Sequence, residues 1–346
     1  MPSLRNRFDV FMEGRAPKVP AISLELDERL RLLRRHGDFS LAYSTAVQNG
    51  LSYFGDSEGY IAFASKMGGH FALGDPVAAP EARQHYIRRF VEAARAPWFV
   101  QVGEDTARVL SGMGYRVNRM GIDTRLDLAR HDFSGKPNET VRYSERWLFK
   151  KGYSIVEDDG SVASLDHVKK LSAEWLAERI VKRWEMRFLN RPFQPEASEG
   201  MRRFMLVDPD GQSVALLDFD PLYSGGDIAG YTTSFKRKLV GTTPHAEIGL
   251  TKFAVDRFRK EGHRIVTLGL SPLADIKPSG FSESGFWRTM FARAYDSKSV
   301  NSRIFNLQGQ AAFKRRFHGA EEPTYIAFRK GSVMEMTGLL RLCKAI

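Results

Sequence analysis

An order of strand-like and helix-like segments occurs twice along this chain, and that repetition constrains its fold more than any other feature. In the first copy, short apolar or alternating runs separated by glycine turns predict an antiparallel meander. The predicted segments are strands at 51–54, 60–65 and 70–73, a helix at 80–94, a strand at 98–102, a helix at 104–113 and a strand pair at 115–118 and 124–128. This order is typical of an α+β unit.

After a polar loop at 132–138 the same order returns, without a detectable sequence repeat between the copies. The predicted segments are a basic helix at 139–151, a strand at 153–156, a helix capped by Ser164, a meander at 201–207, 213–219 and 228–233, a helix at 245–260, a strand at 264–270, a helix around 302–316 and a strand at 325–328. We therefore predict an α+β chain of two tandem domains, 1–135 and 136–346, with the chemistry in the second.

The excess positive charge of the chain lies in its last third. The sequence has 52 Lys and Arg against 41 Asp and Glu, a formal net charge of +11, and residues 231–346 carry 20 basic and 9 acidic residues. Residues 1–230 are therefore neutral overall. This asymmetry favours a polyanionic partner, either nucleic acid or an anionic membrane surface, and a solvated basic face is the alternative.

Composition disfavours several classes of protein. No apolar run reaches the roughly 18 residues needed to span a bilayer, and residues 1–10 lack the apolar core of a signal peptide. A single cysteine, Cys343, excludes an internal disulfide framework, and the scattered histidines disfavour a metal site. We expect a cytoplasmic chain whose contact with a membrane, if it makes one, is peripheral and at the inner face.

The order of elements resembles that of the GNAT (acyl-CoA N-acyltransferase-like) enzymes, in which a central strand feeds a helix. GNAT enzymes hold the coenzyme A pyrophosphate on a glycine-rich loop at that helix N-terminus. The corresponding segment here, 236–243, has one glycine, Gly241, and Pro244 stands before the helix. A basic loop explains this segment better than a coenzyme A site, so an acetyl-CoA-dependent N-acyltransferase is kept as the alternative.

Five short motifs in a common order resemble one family in particular. They are Leu-Gly-Asp-Pro-Val at 73–77, Phe-Ser-Gly-Lys at 133–136, Leu-Ser-Ala-Glu-Trp-Leu at 171–176, Leu-Gly-Leu-Ser-Pro-Leu at 268–273 and Phe-Lys-Arg-Arg-Phe at 313–317. In this order and spacing they look like the C-terminal catalytic region of lysylphosphatidylglycerol synthetase, the multiple peptide resistance factor family. The resemblance extends from about residue 41 to residue 328.

This resemblance implies two tandem GNAT-like domains that use aminoacyl-tRNA as co-substrate and need no other cofactor. The aminoacyl group would pass from the 3′ end of tRNA to the hydroxyl of an anionic phospholipid such as phosphatidylglycerol. The lysine of the family motif Phe-Lys-x-x-Phe maps onto Lys314, which we assign to the aminoacyl carbonyl or the terminal phosphate. Phosphate contacts to tRNA would make its binding strongly salt-dependent.

Two further groups of site residues are expected. The donor and acceptor pocket is assigned to Phe235, Lys236, Lys238, Glu247, Ser271 and Asp275. Contacts to tRNA or phosphate are assigned to Arg142, Arg146, Lys150, Lys151, Arg315 and Arg316. Glu247 and Asp275 are also the candidates for a general base, and a solvated carboxylate is the ordinary alternative for each.

Two departures from the family pattern bear on the substrates. Members specific for lysine carry Ser-x-Asp-Leu-Met-Arg where this chain has Thr-Ser-Phe-Lys-Arg-Lys at 233–238, so Phe235 takes the place of the acid. A small, neutral or acidic amino acid is therefore the expected donor, and lysine is disfavoured. Lipid-modifying members also generally have many transmembrane helices; here the tail 333–346 is interpreted as a weak interfacial anchor or a helix docked on its own domain.

Two other functions are also compatible with the sequence. The same tRNA-dependent chemistry could serve a soluble hydroxyl or amine acceptor. A non-catalytic module that binds nucleic acid or membranes on a GNAT-like scaffold is the alternative from a different class.

Overall fold

A continuous sheet of eleven strands runs through the part of the chain that the computed structural model describes, residues 11, 13–14, 17–178 and 187–345. The strands are β1 (Ser52–Asp56), β2 (Gly59–Lys66), β3 (Gly69–Leu73), β4 (Trp98–Val102), β5 (Arg116–Asp127), β6 (Ser154–Glu157), β7 (Arg202–Val207), β8 (Ser213–Ser224), β9 (Asp227–Lys238), β10 (Ile265–Pro272) and β11 (Ala320–Phe328). Residues 1–10, for which the sequence predicts no signal peptide, lie outside the described residues.

Helices accompany the strands throughout, and the predicted α+β class is confirmed. They are α1 (Leu26–His36), α2 (Ala42–Val47), α3 (Pro80–Ala94), α4 (Glu104–Gly112), α5 (Glu139–Lys150), α6 (Val162–Glu178), α7 (Ala246–Lys260), α8 (Gly285–Asp296), α9 (Lys298–Arg303), α10 (Leu307–Arg315) and α11 (Val333–Leu342), with a short 3₁₀ helix at Lys136–Asn138.

The strand order repeats the same plan from each edge of the sheet towards the centre. The order is β1-β2-β3-β4-β11-β5-β10-β9-β8-β7-β6. At one edge β1, β2 and β3 are antiparallel neighbours, and β3 then pairs in parallel with β4 through the crossover helix α3. At the other edge β6, β7, β8 and β9 are antiparallel neighbours, and β9 then pairs in parallel with β10 through the crossover helix α7. β11 lies between β4 and β5, so the end of the chain completes the sheet of the first half. The division at residue 135 stays a prediction.

Helix α3 illustrates why the sequence forms these elements. Pro80 occupies its first turn, where a missing backbone N–H leaves no hydrogen bond unmade. Tyr86, Ile87 and Phe90 recur at helical spacing and are buried. The Phe90 ring packs against Phe99 of β4, with 5.8 Å between ring centroids. Burial of one such side chain contributes about 1.5–3 kcal/mol, so this face fixes the crossover helix on the sheet.

The prediction of a strand pair at 115–118 and 124–128 is wrong. The structure has one twelve-residue strand, β5, over this stretch. β5 pairs with β11 on one side and β10 on the other, so both edges of its backbone are hydrogen-bonded and no turn interrupts it.

Two predicted helix boundaries also change. The predicted cap Ser164 lies inside α6, which begins at Val162, and the Ser161 hydroxyl accepts the Ser164 backbone N–H at 3.1 Å instead. The predicted helix around 302–316 is divided between α9 and α10, and α8 precedes them. Three separate helices form here because each has its own N-terminal capping side chain, Ser284 for α8, Ser297 for α9 and Asn306 for α10.

The tail forms helix α11, which docks on its own fold. Met336, Leu339 and Cys343 are buried in a cluster that also contains Phe71 of β3. Ser332 and Glu335 form a reciprocal capping box at its start. Of the two interpretations of 333–346, the docked helix is the one observed, and residue 346 lies outside the described residues.

Candidate active site

Two neighbouring parallel strands part from one another in the second half of the sheet. β9 and β10 pair only where residues 230–232 lie beside 265–267. Beyond that point β9 continues along β8, whereas β10 continues along β5. Strands that part leave backbone groups without ladder partners, which side chains or a ligand must satisfy. The gap is therefore a natural position for a binding site.

A cavity of about 640 Å³ opens at this gap. Its lining comes from both strands, residues 189–190, α9 and α10, and the end of the chain, and Ser40, Ser44 and Gln101 of the first half contribute to it. Its charged lining residues are the basic Lys236, Lys238, Arg303, Lys314 and Lys344 and the acidic Asp220. A lining of this sign and size suits a small anionic group.

Helix α10 brings Lys314 to the wall of this cavity, where the residue is only 7% exposed. Its Nζ donates to the Gly269 carbonyl at 2.8 Å and to the Leu270 carbonyl at 2.7 Å. Both carbonyls lie at a register shift of β10 against β5, and Gly269 has a φ of 71°, a conformation that glycine adopts without strain. Lys314 therefore satisfies two main-chain acceptors that the parting strands release.

Burial lowers the pKa of Lys314 to about 7. The charge of Asp123 on β5 opposes this shift, and that of Lys236 adds to it. Near neutral pH a large share of Lys314 is then the free amine, which has two N–H groups and one lone pair. Since two carbonyls take the two N–H groups, the lone pair is left to accept a proton.

Lys236 lies on β9 between a carboxylate and an aromatic ring. Its Nζ is 3.4 Å from Glu247 Oε1 and 3.8 Å from the centroid of the Phe313 ring. Burial lowers the pKa of Lys236, and Glu247 opposes that shift. Glu247 lies outside the cavity lining and is held in this ion pair, which makes it a poor candidate for the general base.

Phe235 forms an apolar part of the lining beside a buried arginine. Its ring packs edge-on against Phe193, with 5.5 Å between centroids, and the Arg191 guanidinium carbon is 5.2 Å from its centroid. Arg191 is fully buried and donates to Asp220 at 2.7 Å. Arg191, which is not part of the lining, thus neutralises the charge of Asp220, and the net charge of the lining stays positive.

The remaining residues assigned to the pocket divide between the lining and its surroundings. Lys238 lines the cavity. Ser271 lies outside the lining and is fully buried, because Leu270 and Pro272, its neighbours in β10, face the cavity and strand side chains alternate. Asp275 also lies outside the lining, where Arg119 Nη1 and Lys277 Nζ pair with it at 3.2 and 2.8 Å.

The residues assigned to tRNA contacts are mostly exposed. Arg146, Lys150 and Lys151 project from α5 and the turn after it. Arg142 instead holds the preceding loop, donating to the Phe133 carbonyl at 2.5 Å and the Gly135 carbonyl at 2.7 Å. On α10 and just after it, Arg315 pairs with Glu321 at 2.7 Å, while Arg316 is exposed.

Sequence reasoning missed several polar residues that line or support the cavity. They are Ser40, Asn190, Arg191, Asp220, Thr232 and Arg303. A signal for Asp220 was available, because Asp218 and Asp220 alternate within an apolar strand and buried carboxylates need partners. Arg191 gives no such signal, since arginine is ordinarily an exposed residue.

Neither a metal centre nor a membrane span is found within the described ranges. No group of three or more His, Cys, Asp or Glu side chains there is arranged to hold a metal ion. None of the helices in those ranges combines the length and the apolarity that a bilayer span requires.

Comparison with known proteins gives a consistent result. The family model described as phosphatidylglycerol lysyltransferase, C-terminal, matches residues 30–328. The phosphatidylglycerol lysyltransferase of Bacillus subtilis (strain 168) is 23% identical over 276 residues, which are 78% of this chain and 31% of that protein. That of Staphylococcus xylosus is 19% identical over 268 residues, 75% of this chain and 30% of that protein. The chain therefore spans less than a third of the length of these curated relatives.

Solved structures share the fold. L-PGS from Bacillus licheniformis superimposes with a TM-score of 0.77 at 20% identity, over 94% of this chain and 98% of that chain. The C-terminal domain (DUF2156) of a putative lysylphosphatidylglycerol synthetase from Agrobacterium fabrum gives a TM-score of 0.76 at 19% identity, over 93% and 98% of the two chains. At these identities the comparison establishes the architecture.

Proposed function

The chain belongs to the phosphatidylglycerol lysyltransferase C-terminal family, as its five motifs predict, and we propose that it transfers an aminoacyl group from aminoacyl-tRNA to the hydroxyl of an anionic phospholipid. One observation carries this proposal. The buried Lys314 lines a basic cavity at the parted strands, where its Nζ donates to the Gly269 and Leu270 carbonyls, and burial lowers its pKa. Phosphatidylglycerol, which the names of the relatives contain, is the proposed acceptor.

The proposed reaction needs a proton carrier and charge stabilisation but no covalent enzyme intermediate, because the aminoacyl ester is already activated. The acceptor hydroxyl gives its proton to the lone pair of Lys314, and its oxygen attacks the ester carbonyl carbon. The bond from that carbon to the ribose oxygen of tRNA breaks, and this oxygen takes the proton from Lys314. The basic lining stabilises the developing oxyanion and the phosphate groups of both substrates.

The lining also bears on the choice of amino acid. Phe235 and its neighbours Lys236 and Lys238 would leave a cationic side chain next to two ammonium groups and a phenyl ring. Asp220 is already bound by Arg191 and offers such a side chain little compensation. We therefore propose a neutral or acidic aminoacyl donor.

The function is tested by incubating the purified chain with tRNA pools charged with one labelled amino acid at a time and with phosphatidylglycerol vesicles. We expect label in the lipid fraction for one or a few amino acids, and no transfer when the tRNA is digested with RNase first. Label that leaves tRNA only when a soluble hydroxyl or amine compound is added would move the acceptor away from lipid. If no aminoacyl-tRNA is discharged and acetyl-CoA is consumed instead, the proposal is wrong.

Binding of tRNA through helix α5 is expected to depend on salt. Each phosphate contact contributes about 0.7–0.9 to the slope of log affinity against log salt concentration. Replacing Arg146, Lys150 and Lys151 together with alanine should therefore weaken binding at low salt and reduce this slope by about 2–3. Filter binding of labelled tRNA at a series of KCl concentrations measures both quantities.

The matched control replaces three exposed basic residues on other helices, Arg88, Lys169 and Lys260, and so makes the same change in net charge. If the control loses as much affinity and slope as the α5 variant, the total charge of the chain governs binding and the α5 surface has no special part.

A further inference from the structure

A second cavity, of about 590 Å³, lies among β4, β5, β10 and β11 and shares Ser40, Leu41 and Gln101 with the first. Its charge is of the opposite sign. The charged lining residues are Asp38, Asp75, Asp123, Asp127 and Glu322 against Arg125 and Arg264. The site described above does not use this cavity.

Three residues that line this second cavity each carry a buried side-chain oxygen that has no hydrogen-bond partner among the described residues. The oxygen atoms are Asp123 Oδ1, Gln101 Oε1 and Thr324 Oγ1. The residues that carry them are 7%, 7% and 9% exposed. Buried polar atoms are nearly always paired in folded proteins, and three orphaned acceptors around one cavity call for a donor-rich ligand.

The backbone that presents Gln101 is also strained. Gln101 has a φ of 58° within β4, a conformation that costs energy for a residue with a side chain. Val100 and Val102 pair with the consecutive residues Ile326 and Tyr325 of β11, so Gln101 is the extra residue of a bulge. The bulge turns a polar side chain into the cavity at a position that a regular strand would not provide.

Most of the other carboxylates of this cavity already have partners. Asp38 pairs with Arg83 at 2.6 Å, Glu322 with Arg125 at 3.7 Å and Asp127 with Arg130 at 3.8 Å. Asp75 accepts the backbone N–H of Gly103 at 3.0 Å. Among the lining acids, Asp123 is the one whose side chain has a buried oxygen without a hydrogen-bond partner in the described residues.

The second oxygen of Asp123 connects the two cavities. Ser40 Oγ donates to Asp123 Oδ2 and lies 3.1 Å from Thr267 Oγ1. Thr267 Oγ1 in turn donates to Thr232 Oγ1 of the first cavity at 2.7 Å. This chain of hydroxyl groups holds the Asp123 side chain in place and leaves Oδ1 for a ligand.

We propose that the second cavity binds a primary ammonium group through Asp123, Gln101 and Thr324. Such a group has three N–H donors, no acceptor and one positive charge, which matches three acceptor oxygens of which one is a carboxylate. A divalent metal ion prefers several carboxylate or carbonyl ligands and fits this set less well. The ammonium site is inferred from these residues alone. Only the identification of its ligand as the α-ammonium of the aminoacyl donor rests on the proposed function.

Calorimetric titration of the full chain with small amines tests the site without tRNA or lipid. The probes are L-alaninamide, ethylamine and N-acetyl-L-alaninamide, which keeps the amide but lacks the charge. We expect L-alaninamide to bind and N-acetyl-L-alaninamide to bind at least tenfold more weakly. D123N should weaken L-alaninamide binding by about tenfold or more, because a charged hydrogen bond is lost. T324V, which keeps the side-chain shape, should weaken it several-fold.

D127N is the matched control, since Asp127 lines the same cavity on the same strand but is exposed and paired with Arg130. It should leave binding within twofold. Equal loss in D127N and D123N, equal binding of the acetylated probe, or no binding of either amine would each overturn the proposal. Tighter binding of L-alaninamide than of ethylamine would identify an aminoacyl ligand, and equal binding would identify a free amine. Absence of transfer together with amine binding would reject the proposed function alone.

Discussion

Replacing Lys314 with methionine is expected to lower the rate of aminoacyl transfer by about 10²–10⁴-fold, the usual range for loss of a general acid–base group. Methionine is apolar and of similar length, so it fills the space beside Gly269 and Leu270 without carrying a proton. Affinity for tRNA should stay within about twofold. Single-turnover transfer from labelled aminoacyl-tRNA measures the rate, and filter binding measures the affinity.

The control for this variant is Lys260→Met, a lysine exposed on α7, which should transfer at the normal rate. Parallel losses of rate and tRNA affinity in the Lys314 variant would reduce this residue to a phosphate contact. The pH profile separates the roles further. Because the pKa of Lys314 is about 7, the wild-type single-turnover rate should rise as pH increases through 7, and the variant should lose this rise.

The lowered pKa of Lys314 also predicts how the free energy of unfolding depends on pH. In the unfolded chain Lys314 keeps the ordinary lysine pKa of 10.5, so between pH 7 and 10.5 the unfolded state binds more protons than the folded state. The free energy of unfolding contributed by this residue therefore rises across that window. Measured by urea denaturation, the stability difference between the wild type and the methionine variant should shift in favour of the wild type from pH 7 to pH 10.5. A constant difference would place the pKa of Lys314 at its ordinary value.

The elements that the sequence predicts best are those with strong local signals. α3 and β4 have the predicted bounds, because Pro80 starts the helix and apolar residues recur at three- and four-residue spacing within it. Phe235, Lys236 and Lys238 reach the cavity together, since they lie close together on one strand. Lys314 also lies there, and its position follows from a family motif and not from any periodicity.

The parts of the site that the sequence does not predict depend on long-range register. Asp123, Gln101 and Thr324 belong to three strands, and they meet because β11 inserts between β4 and β5. Which face each side chain takes depends on bulges in these strands, and a shift of one residue reverses the face. Ser271 is assigned to the pocket from the sequence, but the register of β10 turns its side chain away from the cavity.

Replacing Asp218 with alanine is expected to destabilise the fold by about 3–5 kcal/mol, because it leaves a buried arginine without its main partner. Arg203 Nε and Nη2 donate to the two carboxylate oxygens of Asp218 at 2.6 and 2.9 Å, and both side chains are completely buried. Arg191 Nη2 lies 3.8 Å from the same carboxylate. Urea denaturation at pH 7 measures the loss.

The control is Glu199→Ala, which removes the partner of Arg34 from a surface ion pair whose side chains are 41% and 65% exposed. Exposed pairs contribute about 0–1 kcal/mol, so this variant should unfold almost as the wild type does. A loss below 1 kcal/mol for Asp218→Ala would mean that the other partners of Arg203, the Asp158 carboxylate at 3.3 Å and the carbonyls of Gln194 and Pro195, are sufficient to hold its charge.

Replacing both Arg203 and Asp218 tests whether their buried ion pair serves the stability of the fold or the shape of the cavity. Exchange of a buried ion pair for apolar residues of similar volume is often neutral, whereas removal of one partner is not. The double variant Arg203→Met, Asp218→Leu should therefore be more stable than Asp218→Ala alone. It should still transfer poorly, because Arg203 ties residues 194–195 to the sheet, and Arg191 and Asn190 of the same segment contact Ser234 at the cavity. Normal transfer by a stable double variant would show that this network serves stability and not the shape of the cavity.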